Sequence, residues 1–180
     1  MVYVLLGEGF EESEAIVPVD LLRRAGVEVS LTALEGKTVT SSHGVKVEAD
    51  CRLADVDEGK LEMVVIPGGL GGVGAIMGDQ SALGLVQRAA DRGAYVCAIC
   101  AGPTVLAHLG IADRRRAVCY PGMEEEMGSA VVQKGQRVVV DGHMITAEAA
   151  GSSFEFGLKL VEALKGKDAA HQVKQAVHHR

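Results

Sequence analysis

A thiol follows directly on a run of strand-forming residues, Ala94-Tyr-Val-Cys-Ala-Ile99, and is itself followed by Ala101-Gly-Pro103. Proline is tolerated at a first helical position, so the run predicts a strand that turns sharply into a helix at Cys100. Such an elbow holds a side chain out at the carboxyl end of a sheet, near a helix N-terminus, where a thiolate is favoured over a thiol. A thiolate there can attack a carbonyl carbon or be oxidised. The same run equally suits a small apolar residue in a buried strand, because free cysteine is among the most buried residue types.

Two other stretches belong to the same chemistry. Pro67-Gly68-Gly69 follows a predicted strand and would share a sheet edge with Cys100, where glycines let backbone N–H groups face an oxyanion. An ordinary glycine turn explains the pair almost as well. Glu11-Glu12-Ser13-Glu14 opens the first predicted helix. Acids there stabilise a helix by about 0.3–1 kcal/mol each without any further role. Glu14 differs because Pro18, four residues on, cannot donate to its carbonyl and should bend the helix. A carboxylic acid held in a bent first turn could stay protonated beside a thiolate, since burial favours its neutral form.

Other motifs are weaker. Cys97 and Cys100 spell C-x-x-C, but positions three apart on a strand face opposite sides of the sheet and no second pair exists. The string Gly69-Leu-Gly71-Gly-Val-Gly74 matches a dinucleotide fingerprint in letters only, since it follows no first strand and lacks a placed acid. No histidine adjoins Cys100. His43 is expected at a hairpin tip, within reach of a site only across a subunit boundary. His108 and His143 read as surface or packing residues, and His171, His178 and His179 as solvated. The sequence shows no clustered ligand set, so neither metal nor cofactor is expected.

These residues need a scaffold, and strand-like and helix-like segments alternate along the chain. The pattern predicts strands at 2–6, 27–33, 61–66 and 94–99, helices at 12–25, 81–91 and 104–109, hairpins at 38–49 and 138–146, and helices at 152–164 and 169–177. That alternation implies an α/β fold with a mostly parallel sheet and helices on both faces. The 180 residues suit one domain spanning 1–180, with 48% hydrophobic residues to fill its core. A net charge of −6 and no basic cluster argue against nucleic acid. The opening residues read as a strand rather than a signal peptide, and no apolar run has membrane length, so a cytoplasmic protein is expected.

Taken together, the motifs resemble the ThiJ/PfpI superfamily, most closely the branch of the parkinsonism-associated deglycase DJ-one and its bacterial relatives. The likeness is carried by Gly9-Phe-Glu-Glu-Ser-Glu14-Ala with Pro18-Val-Asp20, by Val-Val-Ile-Pro-Gly68-Gly69, by Ala-Ile-Cys100-Ala-Gly-Pro103, and by Ser153-Phe-Glu-Phe156. It implies a flavodoxin-like three-layer sandwich, a homodimer, Cys100 as nucleophile with a protonated Glu14, and the amides of Gly69 and Ala101 as oxyanion donors. Gly68 and Tyr120 are expected to line the site. The implied activity is that of a glutathione-independent glyoxalase or deglycase acting on small dicarbonyls or their early glycation adducts. The alternative is an oxidative-stress sensor or redox chaperone whose cysteine oxidises to sulfinic acid without turnover. Peptidase relatives carry histidine directly after the cysteine, where this chain has Ala101, so a protease is not expected. Two departures stand out: Tyr120-Pro121 replaces a His-Pro pair, and Glu148-Ala-Ala-Gly151 replaces Arg-Gly-Pro-Gly.

Overall fold

The computed structural model describes residues 1–179. In chain order its elements are β1 (Val2–Leu6), α1 (Glu12–Arg24), β2 (Val29–Ala33), β3 (Thr38–Thr40), β4 (Lys46–Glu48), β5 (Cys51–Arg52), β6 (Met63–Ile66), α2 (Leu70–Gly78), α3 (Gln80–Asp91), β7 (Tyr95–Ile99) and α4 (Pro103–His108). There follow β8 (Arg116–Ala117), β9 (Val131–Val132), β10 (Val138–Asp141), β11 (Met144–Ala147), α5 (Ser153–Lys165) and α6 (Lys167–Ala176).

Strand alternation builds two cores from one sheet. Val2, Val4 and Leu6 of β1, Met63 and Val65 of β6, and Cys97 and Ile99 of β7 point to one face. Leu5, Val64, Ile66, Val96 and Ala98 point to the other. The first face is covered by α1, α5 and α6, through Val19, Leu22, Phe156, Leu160 and Val173. The second is covered by α2, α3 and α4, through Ile76, Leu85, Val86 and Leu106. Each fully buried aliphatic side chain contributes about 1.5–3 kcal/mol relative to exposure, so the sheet carries most of the stabilisation. The result is the mostly parallel sheet with helices on both faces expected from the alternation of elements, and the flavodoxin-like sandwich that the family resemblance implies.

The sheet runs β10-β11-β7-β6-β1-β2-β5, and all pairs are parallel except the β10–β11 hairpin. After β1 the chain steps outward to β2 and later returns to β6 on the opposite side of β1. The strand order therefore reverses between β1 and β6, and ligands in such sheets bind beyond the carboxyl ends at that crevice. Register brings Ile66 of β6 beside Ala98 of β7, so Pro67-Gly68-Gly69 and Cys100 leave the sheet at one level.

Several elements differ from expectation. The glycine string after Gly69 is helical, as α2, and a short parallel pair β8–β9 forms where no strand was expected. The last hairpin turns at Gly142-His143, with Asp141 paired to Met144. His179 is half-buried against Phe154, with ring centroids 5.3 Å apart, instead of being solvated.

Helix α1 buries Glu14, Ala15, Pro18, Val19, Leu21 and Leu22, a stripe at helical spacing that packs against α5. The two helices approach closely at Gly157, where an added Cβ would lie 2.7 Å from Leu21 Cδ1 and 3.0 Å from Pro18 Cα. Gly157→Val should therefore push α5 from α1 and lower stability by about 1–3 kcal/mol, as overpacking does. Chemical denaturation checks this: an unchanged midpoint would mean the two helices are not in firm contact.

Candidate functional site

Cys100 occupies the turn between β7 and α4 with φ +65°, a left-handed conformation that is unusual for a residue bearing a side chain. The strain is held by hydrogen bonds on both sides. Cys100 N–H donates to the Ala147 carbonyl (2.9 Å), Tyr120 N–H donates to the Cys100 carbonyl (2.8 Å), and Gly102 N–H donates to the Ile99 carbonyl (2.9 Å). Thr104 Oγ1 adds a bond to the Ala101 carbonyl (2.7 Å). Such a conformation persists only where the surroundings over-determine it, and it is found disproportionately at functional sites.

Glu14 projects from the first turn of α1 and is fully buried. Its Oε2 accepts a 2.8 Å hydrogen bond from Gly68 N–H, while Oε1 has no hydrogen-bond partner among the described residues. The carboxyl and the Cys100 side chain converge on Gly68. A Cβ there would lie 2.5 Å from Glu14 Oε2, 2.7 Å from Cys100 Cβ and 3.0 Å from Cys100 Sγ. Glycine is thus required at 68 by space. At 69 it is favoured by conformation, since φ is +82° at the residue that caps α2.

Burial pushes the Glu14 carboxyl up to about 7, against hydrogen bonds with Cys100 and the Gly68 amide that act to lower it. Burial also pushes the Cys100 thiol up to about 12, with Glu14 raising it further; the amides of Ala101 and Gly69 pull it down. The expected depression of the thiol by a helix N-terminus is outweighed, because desolvation and a neighbouring carboxylate both oppose a charge on sulfur. The two expected oxyanion donors, Gly69 N–H and Ala101 N–H, are the amides that favour negative charge at the sulfur.

Above these groups lies a cleft of about 800 Å³ lined by Glu14, Gly69, Cys100, Ala101 and Tyr120, with Gly68 lying beneath it and not in its lining, and by residues sequence reasoning did not assign: Glu11, Leu70, Met123, Glu126 and the loop Ala149-Ala150-Gly151. His43 also lines it, from within the same chain, which corrects the expectation that it could reach a site only across a subunit boundary. The β3–β4 hairpin is tied to the α1 entry by Ser42 N–H donating to the Phe10 carbonyl (2.8 Å), and this brings the imidazole over α1. His43 Nδ1 lies 3.0 Å from Glu12 Oε1 and 3.6 Å from Glu11 Oε2. The hydrogen bond it donates to Glu12 and the charges of both acids hold its pKa above the ordinary imidazole value. Glu11, Glu12 and His43 place three potential ligand atoms within 4.8 Å of one another, a group invisible in the linear sequence.

The remaining cysteines are outside this arrangement. Cys97 is buried on the α1 and α5 side of the sheet, and Cys119 on the α2 to α4 side. Burial raises both thiols, Cys119 to about 11. All four cysteines are free thiols. No helix among the described residues is long and apolar enough to cross a membrane.

Comparison with known proteins places the chain in a family. The profile of the DJ-1/PfpI family matches residues 1–163. Protein dj-1beta of Drosophila melanogaster is 39% identical over 177 residues, covering 97% of this chain and 94% of that one. A glutathione-independent glyoxalase of Caenorhabditis elegans is 31% identical over 167 residues, 92% of this chain and 89% of the relative. The structure of oxidized Toxoplasma gondii DJ-1 superposes with a TM-score of 0.93 at 31% identity, covering 98% of this chain and 96% of that chain.

The raised Glu14 carboxyl has a consequence for stability. Its folded value of about 7 lies above the ordinary glutamate value of 4.5, so folding takes up a proton between those limits. Stability contributed by this group is therefore lost as pH rises from about 4.5 to about 7, by up to roughly 3 kcal/mol. Urea unfolding of Glu14→Gln alongside the unaltered protein at pH 5 and pH 8 isolates the effect. The variant should gain relative stability at the higher pH, and parallel pH curves would remove the buried acid from the account.

Proposed function

The chain belongs to the DJ-1/PfpI family, and on that premise we propose that it is a cysteine-dependent, glutathione-independent glyoxalase. Its substrates would be small dicarbonyls such as methylglyoxal and glyoxal, or their early adducts. The observation that carries this reading is the convergence of Cys100 and Glu14 on Gly68, with the Gly69 and Ala101 amides facing the sulfur, at the floor of one open cleft. The relative named as a glyoxalase supports it.

In the proposed reaction the Glu14 carboxylate takes the Cys100 proton as sulfur bonds to the aldehyde carbon. The oxygen of the resulting hemithioacetal receives a proton from Glu14 and is steadied by the Gly69 and Ala101 amides. Glu14 then takes the proton from that carbon and returns one to the adjacent carbonyl carbon, while the hydroxyl proton of the first carbon passes to the oxygen of the second. The first carbon is oxidised to a thioester and the second reduced to an alcohol, so no external oxidant is needed. Water cleaves the thioester, the sulfur regains its proton and a hydroxy acid departs.

A group with a pKa near the working pH makes an effective general base, and Glu14 at about 7 meets that condition. Methylglyoxal consumption should rise through about pH 7 along a single ionisation. In Glu14→Gln the rise should move above the ordinary thiol range, because burial still raises Cys100 and no carboxylate remains to take its proton. Cys100→Ser should lose at least 100-fold in rate. A Cys100→Ser variant as fast as the unaltered protein would end the enzymatic reading.

A second reading is favoured by a different observation. Cys100 is the cysteine that opens onto a cleft, while Cys97 and Cys119 are buried, and one structural relative is described as oxidized. Hydrogen peroxide would convert the Cys100 thiolate to sulfenate, and a second equivalent would carry it to sulfinate, each releasing its reduced oxygen as water. Mass spectrometry after mild peroxide should find sulfinate at Cys100 well ahead of Cys51, Cys97 and Cys119. Modification spread evenly over the four would exclude a sensor.

A further inference from the structure

The cleft above Cys100 carries a charge pattern that the proposed reaction does not require. Glu11 and Glu126 line it together with Glu14, and no lysine or arginine does so among the described residues. The positive charge available to His43 is matched by Glu12 at 3.0 Å and Glu11 at 3.6 Å. The cations nearby are engaged elsewhere: Lys134 pairs with Glu124 at 3.4 Å, and Arg137 pairs with Glu155 at 3.2 Å while donating to the Gly151 carbonyl. Leu70 and Tyr120 complete the wall as exposed apolar surface, 76% and 48% accessible.

A cleft lined by one sign of charge with apolar walls focuses its field and alters the local concentration of charged ligands. Its volume of about 800 Å³ also far exceeds what a three-carbon dicarbonyl fills. From these two observations we infer that the cleft is a charge filter. It admits neutral carbonyls, favours a dicarbonyl-derived group carried on a protonated amine or guanidinium, and disfavours carbonyl compounds that bear a carboxylate. Glu11 and Glu126 at the rim are the specificity-determining residues. The same field aids departure of the product, since a hydroxy acid leaves as an anion.

The choice of substrate class rests on the proposed glyoxalase reaction, but the filter itself is testable without turnover. Two methanethiosulfonate reagents of matched size, one bearing a trimethylammonium group and one a sulfonate, each form a mixed disulfide with a thiolate and release methanesulfinate. Rates of labelling at Cys100, followed by peptide mass spectrometry, are divided by each reagent's rate with 2-mercaptoethanol. At low ionic strength the cationic reagent should lead by at least tenfold, and the lead should shrink towards parity in about 1 M salt, where the screening length is about 3 Å. The Glu11→Gln/Glu126→Gln pair of substitutions should cut the low-salt ratio at least threefold. A normalised ratio of one, or a ratio indifferent to those substitutions, overturns the filter. Labelling proceeds whether or not dicarbonyls are turned over, so loss of the filter and loss of the glyoxalase reading are separate outcomes.

Discussion

Two acids held side by side, one sealed from water and the other only partly open to it, must share their protons, and this constraint on Glu14 and Cys100 governs the site. With the carboxyl at about 7 and the thiol at about 12, the pair holds one proton and one negative charge over the intervening range. Which atom keeps the proton is decided by fixed backbone donors. Gly68 N–H to Oε2 favours the carboxylate, whereas the Gly69 and Ala101 amides favour a thiolate. The titration therefore belongs to the pair rather than to either residue. Proton transfer between them changes no net charge, so an electrophile near the sulfur can draw out the thiolate form with little reorganisation.

The sheet makes that sharing geometrically possible. Parallel register brings the ends of β1, β6 and β7 to one level, and each end contributes a part: the entry to α1 with Glu14, the Gly68-Gly69 turn, and Cys100. Glu14 stays buried because α1 is pressed from behind by α5 at Gly157, so the carboxyl cannot retreat to water. Cys100 keeps its left-handed backbone because Ala147 and Tyr120 hold its N–H and carbonyl. Local strain of about 1–3 kcal/mol is thus offset by contacts drawn from distant parts of the chain.

Residues whose role follows from a local pattern were legible in the sequence, and residues brought in by long-range pairing were not. The run into Cys100 and the acid four residues before Pro18 announce themselves by neighbours alone. The main strands and helices do so by period. Helix α2 was missed because four of its nine residues are glycine, a composition that reads as turn. It forms because those glycines permit contact with the β1–α1 connection: a Cβ at Gly72 would lie 2.8 Å from Phe10 Cα. His43 was misplaced for the opposite reason. Its hairpin was legible, but its docking depends on backbone bonds from Gly9 to Thr40 and from Ser42 to Phe10, each across more than thirty residues. The thiol's raised pKa was missed because burial depth has no local signature, whereas a helix start does.

Tyr120 stands where a histidine base would be expected from the family pattern, and its backbone rather than its ring serves the site. Its N–H clasps the Cys100 carbonyl, while the ring lies half-exposed on the cleft wall. An imidazole against the sulfur would offer a second base and a stabilising cation; without one, proton traffic in the proposed reaction falls on Glu14 alone. The imidazole that does reach the cleft, His43, is held by Glu11 and Glu12 in an ion-pair cluster at the rim. Its charge is therefore spent against those acids instead of on the thiolate. The cleft keeps a negative lining, and a chain that has lost a cation beside its nucleophile must rely on backbone amides to steady an oxyanion. Backbone donors cannot be titrated, so in this reading the Glu14 carboxyl is the proton switch beside the sulfur over the neutral range.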